Sequence, residues 1–226
     1  MNKSQMVLMM AACVMLLILP TITGSDVVEE LDLAYYPTPF ISNERLDTIF
    51  VVGEFADSGD VLALVEVATK LQDEVQEIIF ESTGEEDANV FEIDIKGNPQ
   101  DELTELYMDV LNKKRTEAAK TILDTSLHIE DIADQNVILV GGPCVNWLSA
   151  HFMGNPKNCV EGFTPGKAQL QLFRNGRGTV LMVAGYSVDD TRMAANIIAN
   201  YKDFSANLVG EKVSVSSAWI NQIKIS

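Results

Sequence analysis

The chain has 226 residues, with 16 Lys and Arg against 33 Asp and Glu and a net charge of −17. Such a surface repels phosphate, which argues against DNA, RNA and anionic lipid head groups as partners. Hydrophobic residues make up 47% of the chain, so it is not disordered; with two His and three Cys it cannot build a four-cysteine zinc site.

The N-terminus reads as an export signal. Lys3 precedes a continuous apolar run from Met6 to Leu19, followed by Pro20 and the small residues Thr23, Gly24 and Ser25. The run is shorter than the roughly 20 residues a spanning helix needs. Basic start, short apolar stretch and small-residue exit together predict a secretory signal over residues 1–24 and an extracellular product. No later stretch is long and apolar enough to span a bilayer. Cys13 leaves with the signal, so Cys144 and Cys159 remain as a pair, and an even count in an exported chain suggests a disulfide.

Residues 25–46 read as an N-terminal arm or linker. Within it, Tyr35-Tyr36-Pro37-Thr38-Pro39 should be extended, because each proline biases its predecessor away from helix. Residues 47–226 form the predicted α/β domain, with a possible sub-boundary near 125–135.

Three segments of that domain share one design. Thr48 to Gly53 is followed by Asp57-Ser58-Gly59-Asp60 and an apolar-periodic stretch to Leu71. Asn136 to Gly142 is followed by Pro143-Cys144 and a short helix over 146–152. Thr179 to Gly185 is followed by Tyr186-Ser187 and a helix over 189–201. Short, β-branched apolar runs of this kind suit strands buried on both faces of a mainly parallel sheet. Ser187 with Asp190 makes a capping-box pattern, and Asp57 with Asp60 a looser one. The periodicity puts Val61, Leu64, Val65, Ala68 and Leu71 on one helical face, and Ala194, Ile197, Ile198 and Tyr201 on another.

Between the first two units, Glu77–Phe80 and Val90–Ile95 read as strands around the acidic turn at 84–87. A long amphipathic helix is expected over 101–123. Later, Ala168–Phe173 and Thr179–Ala184 flank Asn175-Gly176-Arg177-Gly178, a hairpin signal that makes the sheet mixed. Lys212–Val215 and Trp219–Ile225 alternate as edge strands do. The predicted fold is therefore α/β: a mixed, mainly parallel sheet with helices on both faces, built from repeated strand–Gly-turn–helix units plus a late β-hairpin.

Candidate chemistry concentrates at the turns. In Gly141-Gly142-Pro143-Cys144 a thiol could stand at a helix N-terminus with a lowered pKa, with His151 as base and Glu161 as its orienter, giving a Cys-dependent hydrolase. The competing reading pairs Cys144 with Cys159 and staples the turn to the following loop. Gly141-Gly142 could cradle a phosphate, but neither glycine-rich nucleotide fingerprint is present and Pro143 removes a donor. Asp57, Asp60, Asp189 and Asp190 are calcium candidates at the strand-to-helix turns, without EF-hand spacing and already explicable in part as caps. His128 reads as a core or edge residue.

Three blocks of sequence resemble a known family. They are Asn136-Val-Ile-Leu-Val-Gly-Gly-Pro-Cys144, Cys159-Val-Glu-Gly-Phe-Thr-Pro-Gly-Lys167, and Val183 through Asp190-Thr-Arg192 to Tyr201. Their order and wording resemble archaeal S-layer proteins, the lattice-forming proteins of the cell surface, with this chain as a short member. Phe50 to Ala63 resembles an earlier repeat of the same family. The resemblance implies a structural, non-catalytic protein at the cell surface. It implies contacts with copies of itself or other surface-layer proteins. The acidic surface suits bridging by a divalent cation such as calcium, and no other cofactor is expected. The alternative reading is a binding module retained at the envelope by glycan or by another surface protein. For Cys144 and Cys159 the resemblance implies a structural pair.

Overall fold

The computed structural model describes residues 30–83, 94–96 and 120–216. The predicted signal, the acidic turn at 84–87, residues 101–119 of the predicted long helix and the 219–225 strand lie outside these residues. A two-stranded antiparallel ribbon, β1 (Ile41–Ser42) and β2 (Arg45–Leu46), precedes the main sheet. The sheet is built from β3 (Ile49–Val52), β4 (Asp94–Lys96), β5 (Lys120–Leu123), β6 (Val137–Val140), β7 (Lys167–Asn175), β8 (Gly178–Gly185) and β9 (Lys212–Ser216). Its order is β4-β5-β3-β6-β8-β7-β9. Every pair from β4 to β8 is parallel; β7 runs antiparallel to both β8 and β9. The sheet is mixed and mainly parallel, with the expected hairpin at its late end.

Alternation along the strands sorts the core into two layers, because successive side chains point to opposite faces. Phe50, Val52, Ile138, Val140, Leu181 and Val183 face one side. There they meet α1 (Ser58–Thr83) and α3 (Val188–Ala199). Ile49, Val51, Val137, Leu139 and Val180 face the other side. There they meet α2 (Trp147–Phe152) through Leu148, and the 3-10 turn Ile129–Ile132 through Ile132. Both faces of the sheet thus carry helices. The central strands β3 and β6 are buried at all four positions, which is why they are unbroken runs of Ile, Phe, Leu and Val.

The stripe of α1 that enters the core is Val61, Leu64, Val67, Ala68, Leu71 and Val75. Val67 replaces the expected Val65, which is only half-buried. Each fully buried Val or Leu here contributes about 1.5–3 kcal/mol. On α3, Ala194, Ile197 and Ile198 are buried as expected. Tyr201 instead begins the short α4 (Tyr201–Phe204) after Asn200 ends α3.

Three expectations are corrected. Glu77–Phe80 is not a strand: α1 continues through it to Thr83, adding a buried Val75 to the helical stripe. Residues 120–123 are not helix but β5, paired in register with β3. Their Thr-Ile-Leu run is buried at three positions, which the strand between β4 and β3 requires. Residues 31–46 do not form a loose arm; Leu33, Tyr36, Phe40 and Ile41 are core residues. Asp32 caps their 3-10 turn, and its Oδ1 also accepts the Gly210 N–H at 2.6 Å.

The hairpin turn is fastened from outside. Gly176 takes φ +59, and a Cβ there would collide with the Asp134 carboxylate. That carboxylate accepts the Arg177 N–H at 2.8 Å. Among the described residues no helix is long and apolar enough to cross a membrane.

Candidate functional site

The strand-to-helix loops after β3, β6 and β8 stand side by side at the carboxyl end of the sheet, where open α/β folds hold their ligands. The loop after β3 lies directly on the loop after β6: a Cβ on Gly53 would stand 1.7 Å from the Val145 carbonyl oxygen. Only glycine permits that approach.

Asn146 joins the two strands to the helix that follows. Its side chain is fully buried. Oδ1 caps α2 by accepting the Leu148 and Ser149 N–H groups at 3.1 and 3.3 Å. Nδ2 donates to the carbonyls of Val51 and Val140, at 3.4 and 3.1 Å, at the ends of β3 and β6. Asp124 does the same work from β5. It is 2% exposed. Oδ1 accepts the N–H groups of Glu54 and Thr125, both at 2.8 Å, and Oδ2 accepts that of Trp147 at 2.8 Å. Sequence reasoning misses Asp124, because it lies just past the 101–123 stretch that reads as helix.

The calcium candidates separate into two kinds. Asp57 and Asp189 are exposed. Asp57 caps α1, its Oδ1 accepting the Gly59 N–H at 3.1 Å. Asp190 is buried and completes a capping box with Ser187, whose N–H and hydroxyl it accepts at 3.1 and 2.8 Å. Asp60 is buried too, and Oδ2 accepts the Asp57 N–H at 3.3 Å. Its Oδ1 has no hydrogen-bond partner. The Thr191 hydroxyl faces both this carboxyl and the Ser187 carbonyl, the latter at 3.3 Å, and its single proton serves one of them at a time. Burial pushes the Asp60 pKa up to about 6. The Asp57 charge adds to the rise; the Asp57 N–H and the Thr191 hydroxyl oppose it. Among the described residues no three acidic, His or Cys side chains converge as a metal cluster.

Cys144 and Cys159 are joined in a disulfide. Both are exposed, and the bond ties the β6–α2 turn to the loop before β7. No thiol therefore stands at this turn. His151 is exposed and packs edge-on to Phe152 with ring centroids 5.4 Å apart. Among the described residues no hydrogen bond links His151 to Cys144 or to Glu161. His128 is exposed as well and so is not a core residue; at the N-cap of its 3-10 turn its N–H donates to the Asp131 carboxylate at 2.7 Å.

Among the described residues, two of the clefts bear on this architecture. The smaller, about 80 Å³, has Asp60 in its wall together with the disulfide, Gly142, Phe163 and Tyr186. The larger, about 260 Å³, lies beside α1 and α4 and is lined by Tyr36, Glu74, Glu77, Asn200, Tyr201 and Lys202. The Lys202 ammonium sits 2.8 Å from both Glu74 and Glu77, which raises its pKa. Tyr201 packs edge-on to Tyr36 at 5.1 Å. Burial, then the Glu74 carboxylate, pushes its phenol up to about 12.

The fold and these turns define an α/β domain whose strand ends are tied together by capping carboxyl and amide side chains and closed by a disulfide. The family model described as "S-layer like family, outer domain" matches residues 32–202, and the chain belongs to that family. Membership supports a structural role at the cell surface. No curated protein matches the chain.

Proposed function

We propose that the protein is an exported component of the surface layer that acts without catalysis, through contacts with copies of itself or with other surface-layer proteins. The family match over nearly the whole described domain carries this reading. The carboxyl-end loops support it, since they hold Phe55, Trp147 and Tyr186 exposed to solvent, and aromatic side chains are enriched at protein–protein contacts. Divalent cations such as calcium act between copies on this reading, bridging an acidic surface on which Asp57 and Asp189 are exposed. The test is sedimentation velocity and electron microscopy of the purified protein, with and without calcium. Ordered assembly is expected; a monomer at high concentration in both conditions overturns the reading.

A second reading is retention at the envelope by glycan. The larger cleft favours it, because the part-exposed Tyr201 ring beside carboxylate and amide groups suits the face and hydroxyls of a sugar. Retention on isolated envelopes, abolished by Tyr201→Ala, is the expected result. Retention unchanged in that variant removes this reading.

A further inference from the structure

One edge of the main sheet is open among the described residues. β9 pairs with β7 on one side only. The Leu172 N–H donates to the Glu211 carbonyl at 2.8 Å, which continues the β7–β9 register. Lys167, on the alternate set of β7 residues, bonds towards β8 instead, accepting the Tyr186 N–H at 3.4 Å. Bonded pairs recur at every second residue of an antiparallel ladder, so Val213 and Val215 bond to Leu170 and Ala168. Lys212, Ser214 and Ser216 therefore direct their N–H and carbonyl groups away from the sheet. Among the described residues no hydrogen bond meets those groups. Native edge strands are usually blunted by proline, a bulge or an inward charge. β9 has no proline, its register runs unbroken, and its one charge, Lys212, stands at its end. Val215 is buried and Val213 half-buried on the helix-covered face, while Lys212 and Ser214 are exposed on the other.

This strand is complementary to itself. Its outward groups are spaced evenly about Ser214. A second copy brought in about a two-fold axis at that residue sets Ser214 against Ser214 and Lys212 against Ser216, and each outward N–H meets a carbonyl. Charge agrees with that register. The chain carries −17, so copies repel at long range. Within the paired strands no carboxylate faces another, and Glu211 falls beyond the paired positions. Tyr35 and Val209, 63% and 57% exposed, flank the bond from the Leu33 N–H to the Gly210 carbonyl that anchors the start of β9. They add apolar contact area beside the ladder. We propose that β9 is the contact by which two copies of this chain join, their sheets running on as one through an antiparallel β9–β9 pair. The choice of partner rests on the surface-layer reading, and the edge names the surface through which that reading would act.

Amide hydrogen exchange of the full chain is the first test. In dilute protein the Lys212, Ser214 and Ser216 amides should exchange fast and those of Val213 and Val215 slowly. Association should slow the first set at least about tenfold. Protection of that set at every concentration means that the chain's own residues after Ser216 cover the edge, and overturns the proposal. Substitution at Ser214 is the second test, with association read by sedimentation and folding of each variant checked by urea unfolding. Ser214→Pro removes an outward donor, leaves the bonds to β7 in place, and should weaken association about tenfold or more. Ser214→Glu and Ser214→Lys keep their side chains on an exposed face and should each weaken it about threefold or more. An equimolar mixture of those two should restore it, because a two-fold pair sets the residue against itself. Association indifferent to all three variants overturns the β9 contact and leaves the surface-layer reading standing. Weakening without rescue by the mixture overturns the self-pairing and gives the edge to an extended segment of another protein. A wild-type chain that never associates defeats the surface-layer reading and the β9 contact together.

Discussion

The Asp124 carboxylate accepts the backbone N–H of Trp147 at 2.8 Å, and the Trp147 indole N–H donates to the Asp124 carbonyl at 2.7 Å. Two residues far apart in the chain thereby lock the end of β5 to the start of α2. Because the same carboxylate also holds the loop after β3 through Glu54, one buried side chain organises three of the loops that form the carboxyl end of the sheet.

Replacing Asp124 tests that role. Asp124→Ala leaves the Glu54, Thr125 and Trp147 N–H groups without their acceptor. Hydrogen bonds to charged groups contribute about 1.5–3 kcal/mol each when buried, with partial compensation by water, so the loss should be about 3 kcal/mol or more. Urea unfolding followed by Trp147 fluorescence is the measurement. A change within about 0.5 kcal/mol, ordinary for surface substitutions, would show the contacts to be incidental.

Asn146→Asp is an isosteric change that should nevertheless destabilise. The new carboxylate keeps the cap on α2, but its second oxygen faces the carbonyls of Val51 and Val140 with nothing to donate. A cost of about 2–4 kcal/mol at neutral pH is expected, partly recovered on acidification as the carboxyl gains a proton. Unfolding at two pH values decides it, and equal stability at neutral pH would refute it.

Asp60 predicts the sign of a pH dependence. Its pKa rises from 3.8 to about 6 on folding, so the native state binds the proton more tightly than the unfolded chain. Its contribution is fully favourable below the unfolded value and is lost as pH rises through about 6. The shift corresponds to a loss of about 3 kcal/mol across that window, to order of magnitude. The difference in unfolding free energy between the wild type and Asp60→Asn, measured from about pH 4 to pH 7, should move in favour of the variant as pH rises. A flat difference would refute the assignment.

The disulfide closes a loop with a sequence separation of 15 residues. A loop of that length stabilises by about 3 kcal/mol in the chain-entropy model, which is about 6–12 °C in Tm for a protein this size. Intact mass after alkylation should show Cys144 and Cys159 protected until reductant is added, and reduction should lower Tm by that order. Labelling without reduction would mean that the bond does not form.

Gly53→Ala should be severe for so small a change, because its methyl group would fall within 1.7 Å of the Val145 carbonyl oxygen. Loops after β3 and β6 would have to separate. Loss of stability of about 1–3 kcal/mol, the range for overpacked interiors, is expected by thermal unfolding. An unchanged Tm would show that the loops part freely.

Legibility followed the locality of the signal. β6, β8, the hairpin and the caps at Ser187 and Asp190 could be read directly, since each depends on residues within one turn or strand. The buried stripe of α1 was only partly legible: its period was visible as far as Leu71, but Val67 and Val75 enter the core because α3 and the ribbon pack there. β5 was misread, because Leu106, Tyr107, Val110 and Leu111 make a helical period that was extended across Thr121-Ile122-Leu123. The parallel partners β3 and β4 lie distant in sequence, and pairing with them is what makes those residues a strand.

The sequence by itself determined the α/β class, the position of the glycine turns and the family resemblance of the 136–205 region, because periodicity, capping and motif wording are local properties. Only the tertiary structure decided that Asp124 is the acceptor shared by three loops, that Leu33, Tyr36, Phe40 and Ile41 belong to the core, and that the Asp60 carboxyl lies buried. Each depends on which groups from distant segments meet after burial has removed water, and no window of sequence contains that information.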